Sequence, residues 1–152
     1  MVAGAALTVA GCGSSGASGD GTTTTTTSAP AVRSFLLGGT QAVYWMQWRG
    51  TSAVVGVLEG VLGPQSTSDG KSQDNVYRLT GTIKGSTLSY HLVPMTPAAP
   101  AMPSLYTATV GPRSVTLAAP LVGASGRAMD RASQREFNTL VHAHEVAWGQ
   151  DG

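Results

Sequence analysis

Between Asn75 and Val93 the chain alternates. Tyr77, Leu79 and Ile83 fall on one side, Arg78, Thr80 and Thr82 on the other. After Lys84-Gly85 the pattern resumes, with Leu88, Tyr90 and Leu92 set against Thr87, Ser89 and His91. Successive side chains of an extended chain point to opposite faces, so this stretch reads as an antiparallel hairpin with one face in a core and one in solvent. A lone hairpin is marginal in water. The remaining chain must therefore supply more strands, or a helix, to cover the apolar face.

The flanking sequence supplies both. Ala42 to Trp48 is aromatic and bulky, Arg49-Gly50-Thr51-Ser52 reads as a turn, and Val54 to Leu62 is the return strand. Gly63 to Asp74, rich in Gly, Pro, Ser and Asp, punctuates the strands. Pro94, Pro97, Pro100 and Pro103 mark an irregular connection or edge cover, because proline offers no N–H to a ladder. Leu105 to Val110 and Arg113 to Ala119 pair around Gly111-Pro112. Gly56 and Gly60 interrupt the second strand on one face: either the sheet curls or the helix packs closely there, or the strand is merely a poor one.

From Asp130 to Trp148 the period changes. Phe137, Leu140, Val141, His144 and Trp148 share one helical face. Ser133 with Glu136 forms a capping box, and Gly149 sits at the C-terminal cap. The expected fold is mainly β: an antiparallel meander of about three hairpins, as a twisted sheet or small barrel, plugged or flanked by one C-terminal amphipathic α-helix.

The first thirty residues differ in kind. Residues 1–11 are small and apolar, and residues 12–32 form a Gly/Ser/Thr-rich segment that offers nothing to bury and reads as a flexible tether to a domain at 33–149. Val9-Ala10-Gly11-Cys12 resembles a bacterial lipobox, which implies lipid attachment through the Cys12 thiol. A signal peptide needs a positively charged n-region, and no Lys or Arg precedes Cys12, so the natural start is expected upstream.

The β-segment also resembles a group of small secreted or lipid-anchored β-domain proteins of actinobacteria, mostly without assigned activity. The likeness runs from about Thr40 to Leu140. It rests on Tyr44 to Trp48, Val54 to Leu58, Leu79 to Leu88, Ser114 to Leu117 and Phe137-Asn138, with Gln47-Trp48 and Thr80-Gly81-Thr82 as its best matches. It implies location and architecture, not chemistry.

Chemistry-bearing residues are sparse. Nine Lys+Arg against eight Asp+Glu give a net charge of +1 with no basic cluster, which argues against nucleic acid as a partner. One cysteine excludes an internal disulfide and a multi-cysteine zinc site. His142 and His144 lie about 200° apart on a helix and do not suit a shared metal. His144 reads as partly buried and satisfied, and His142 and His91 as solvated. Glu59, pointing outward, could pair with Asp74 or Glu136 as a carboxylate couple, but no motif supports catalysis. No catalytic residue, metal or cofactor is assigned.

Trp45 has two readings: an exposed contact for a ligand or partner, or a residue packed beneath the helix. The expected function is a cell-envelope protein, lipid-anchored at the extracytoplasmic face of the cell membrane, with a binding or structural role. The alternatives are a carrier with an apolar cavity in a curled sheet and, behind it, a small hydrolase.

Overall fold

The computed structural model describes residues 31–149. Eight antiparallel strands run in chain order and close into a barrel. They are β1 (Val32–Gly38), β2 (Ala42–Arg49), β3 (Ala53–Leu62), β4 (Gln73–Lys84), β5 (Thr87–Pro94), β6 (Met102–Val110), β7 (Ser114–Leu117) and β8 (Ala128–Arg131). Among the described residues a single α-helix, α1 (Gln134–Ala147), follows. Among the described residues no helix is long and apolar enough to cross a membrane.

The mainly β meander with its C-terminal helix is thus present, as a small barrel flanked by the helix. It has two strands more than the three hairpins read from the sequence. β1 closes the ring by pairing with both β2 and β8. β8 takes Asp130 and Arg131, so α1 starts only at Gln134. Ser133 caps it with the full reciprocal box: Ser133 accepts from the Glu136 N–H, and Glu136 Oε2 accepts from the Ser133 N–H at 2.6 Å.

Hydrogen bonds from the Ser133 backbone and side chain hold the Glu136 carboxyl below its ordinary value of 4.5. A lowered acid contributes stability above its unfolded value and loses it as pH falls through the folded one. Glu136→Gln should therefore melt below wild type at neutral pH. The gap should close in acid, and a pH series of thermal melts checks this.

Inside the barrel, large and small residues face each other across neighbouring strands. Trp48 sits opposite Gly56, Tyr44 opposite Gly60, and Tyr90 opposite Gly81. An eight-stranded barrel has just enough interior for side chains to fill it, and an aromatic ring fits where its cross-strand neighbour has no Cβ. Gly56 and Gly60 are therefore sites of close approach within the barrel. The helix instead packs over Gly38 and Gly63, where a Cβ would come within 2.8 Å of Leu140 Cδ2 and 2.7 Å of Trp148 Cε2. Trp48, Tyr90, Phe35, Met46, Leu58 and Leu79 are each less than 2% exposed. Phe35 stacks on Trp48 with ring centroids 5.0 Å apart.

A second, smaller core lies outside the barrel wall. Val43, Trp45 and Val61 point outward from β2 and β3 and are buried against Phe137 of α1, with Leu140, Val141 and Trp148 partly buried around them. β2 is thus apolar on both faces because both are covered. Trp148 Nε1 donates to the Thr40 carbonyl at 3.3 Å. Both ring nitrogens of His144 lie against carbonyl oxygens, Leu140 at 2.9 Å and Gly39 at 3.0 Å.

Apart from residues 39–41, a short connection at the long-loop end, the connections divide by length. Residues 50–52, 85–86 and 111–113 are tight turns at one end, where Gly50 and Gly85 take positive φ. Residues 63–72, 95–101 and 118–127 are long loops gathered at the other end. The barrel therefore has a plain end and an elaborated end.

Candidate functional site

The elaborated end holds an open cavity of about 400 Å³. Its position follows from the strands. Tyr44 near the start of β2, Tyr77 on β4 and Tyr106 on β6 all face inward near the long-loop end. Leu62, Met102 and Leu121 make an apolar wall, and Pro100 and Pro120 from two long loops form part of the rim. Near Met102 the β5–β6 ladder shifts register between Tyr90 and Leu92, as at a β-bulge, which lets Pro103 sit in a strand.

The polar groups converge from β4. Asn75 is 6% exposed, a buried amide at an inward register position. Its Oδ1 accepts from Gln73 Nε2 at 2.6 Å, and the same Gln73 amide donates to the Ala98 carbonyl at 2.9 Å. That pair ties the start of β4 to the β5–β6 loop. The three tyrosines add hydroxyls. Burial, with Tyr77 adding to it and the Val122 backbone opposing, leaves the Tyr44 phenol pushed up to about 12. Burial and then Tyr106 raise Tyr77 in the same direction. Tyr44 and Tyr77 are therefore neutral O–H groups at physiological pH, able to donate hydrogen bonds.

A second depression lies outside, between α1 and the β3–β4 wall. It gathers Glu59, Asp74, His142 and Glu145 around the edge of Phe137. Burial raises the Glu59 carboxyl, with Asp74 adding to the shift, and burial raises Asp74 as well. Of the carboxylates singled out in the sequence, Glu59 and Asp74 are thus neighbours, whereas Glu136 is engaged at the helix start. Among the described residues no group of three His, Cys, Asp or Glu side chains could hold a metal ion.

Trp45 is 3% exposed and stacks against Phe137 at 6.0 Å, so the reading of an exposed contact gives way to the one beneath the helix. The alternating strand turns Trp45 outward, but α1 lies over that face. Cys12 lies outside the described residues. His91 is exposed on the barrel wall. Sequence reasoning missed Tyr77, Tyr106, Asn75 and Met102 as pocket residues. A signal existed: Asn75 is an amide in the inward phase of Tyr77 and Leu79, where a polar residue is unexpected.

A scan of protein-family models, a search of curated proteins and a search of solved structures each returned no match to this chain.

Proposed function

We propose that this chain is a lipid-anchored binding protein of the cell envelope that holds a small, largely apolar molecule in the mouth of its barrel. The observation that carries the binding role is the cavity of about 400 Å³, apolar in most of its lining and provided with a few convergent polar groups. That is the make-up of ligand pockets in general. The fold alone would not justify the reading, since folds host many functions. The support comes from where packing stops: the interior is filled at the tight-turn end and left open beneath the long loops.

The anchoring rests on the lipobox-like Val9 to Cys12 and the tether behind it. Geometry is compatible with it. Val32 pairs with Arg49 beside the tight β2–β3 turn, so the chain enters the barrel at the end away from the mouth.

Two measurements test the two halves. The neutral dye N-phenyl-1-naphthylamine should saturate the protein at one site. Ala101→Trp, which adds a ring at an exposed rim position, should weaken it about tenfold or more. Unchanged saturation in that variant would place the dye elsewhere and end the binding reading. Metabolic labelling with a clickable fatty acid in the native host should mark wild type and spare Cys12→Ser. Equal labelling of both would refute the anchor.

A further inference from the structure

We infer that the mouth of the barrel selects an uncharged ligand, a compact apolar skeleton ending in a hydrogen-bond acceptor such as a carbonyl oxygen, and rejects the anion and the cation built on the same skeleton. This deepens the binding role proposed above and rests on it. The lining supplies the first half of the argument. Among the described residues, no Asp, Glu, Lys, Arg or His lines the cavity. An ion entering a mostly carbon-walled pocket gives up its hydration and finds no opposite charge to replace it.

The tyrosines report on the same space. Tyr44 and Tyr77 resist forming phenolates there, because of burial and because each has another phenol near it. A carboxylate brought alongside them meets the same low polarity. A cation fares no better. The buried amide oxygen of Asn75 already accepts from Gln73 at 2.6 Å, and no carboxylate lines the wall.

The second half comes from the donors. Tyr44, Tyr77 and Tyr106 line the cavity beside Leu62 and Met102, and each brings a phenolic O–H to it as a potential donor. A purely apolar occupant would displace water from these groups and offer nothing back, whereas an acceptor atom would restore the bond. Size sets the skeleton: about 400 Å³ is the room of roughly thirteen waters, which suits a bicyclic ring.

Four naphthalenes separate these effects by displacement of N-phenyl-1-naphthylamine from the full chain at neutral pH. The expected order puts 2-acetylnaphthalene first. It should bind about tenfold more tightly than 2-naphthoate and than 2-(aminomethyl)naphthalene, and about threefold or more above 2-ethylnaphthalene. In Tyr77→Phe/Tyr106→Phe the acetyl compound should fall to the level of the ethyl one, with near-UV circular dichroism showing the fold retained. Should the double variant not fold, Tyr106→Phe alone, at a partly buried position, should narrow the same gap.

Naphthoate or the ammonium binding as well as the ketone would overturn selection by charge and leave the pocket itself standing. Equal binding of ketone and ethyl compound by wild type would overturn the acceptor. A retained preference in the folded double variant would remove the phenols from the account. Failure of all four to displace a dye that does saturate the mouth would overturn the inference. Failure of the dye itself would defeat the binding role first.

Discussion

Gly56→Ala is expected to destabilise the barrel by about 3 kcal/mol or more, the upper end of what overpacking costs. A Cβ at Gly56 would run into the Gln47 carbonyl oxygen and lie 2.7 Å from Trp48 Cα and 2.8 Å from Trp48 Cβ. Two of those three atoms are backbone of the paired strand, so no flexible side-chain end can swing aside. Relief would require β2 and β3 to separate, and Trp48 fills the plain end of the barrel. Gly111→Ala is the matched control. Its Cβ would meet nothing closer than 3.4 Å, and the change should stay within about 0.5 kcal/mol. Urea melts of the two variants against wild type give the comparison. A Gly56→Ala melt that overlays wild type would mean that the close approach of β2 and β3 is not a constraint.

Phe137→Ala should cost about 3–5 kcal/mol, as for a fully buried phenylalanine. Phe137 is 2% exposed and is the residue of α1 most deeply set against the wall, with its ring on Trp45. An isolated helix as short as α1 is marginal in water, so α1 depends on this contact. Removing the ring leaves a void over Trp45, Val43 and Val61, which no other strand can fill because they face out of the barrel. His142→Ala, exposed on the same helix, should change stability by no more than about 0.5 kcal/mol. Equal melts for the two variants would show that the outer core is not what holds the helix.

The sequence made some of this legible for definite reasons. The β4–β5 hairpin could be read residue by residue because alternation has only one extended solution. The helix start could be placed by Ser133 and Glu136, although the helical period had suggested Asp130, four residues before Gln134. β8 escaped notice because only Met129 of its four residues is buried, and its two charged residues look like the opening of a helix. β1 was hidden between a low-complexity segment and a pair of glycines. Without β1 and β8 the ring cannot close, so a sheet and a barrel were equally compatible with the pattern.

The mouth was half legible. Alternation gives the inward direction of Tyr44 and Tyr77, and the long connections at residues 63–72 and 95–101 fall at one end of any meander. That three phenols meet there depends on closure and on the irregular register beside Met102, which are three-dimensional facts. The position of Trp45 shows the same limit. Alternation puts it outside, and only tertiary packing decides whether outside means solvent.

The ring is unequal around its circumference. β3 and β4 share ten register pairs, whereas β1 and β8 share two, Phe35 with Arg131 and Leu36 with Asp130. Every other pairing among the described residues joins consecutive strands, so among them this short seam alone asks the two ends of the domain to find each other, and loop-closure entropy is greatest there. The helix follows β8 directly and lies on β1 and β2, which makes it a latch across the seam. Latching and closure should then occur together. Backbone amides of β8 and α1 should exchange with solvent together, ahead of those of β3 and β4. Residues 118–127 lead straight into β8 and supply Pro120 to Val122 of the cavity lining, so opening of the seam is expected to widen the entrance as well. If the proposed ligand occupies the mouth, its rates of entry and exit should follow the breathing of this join.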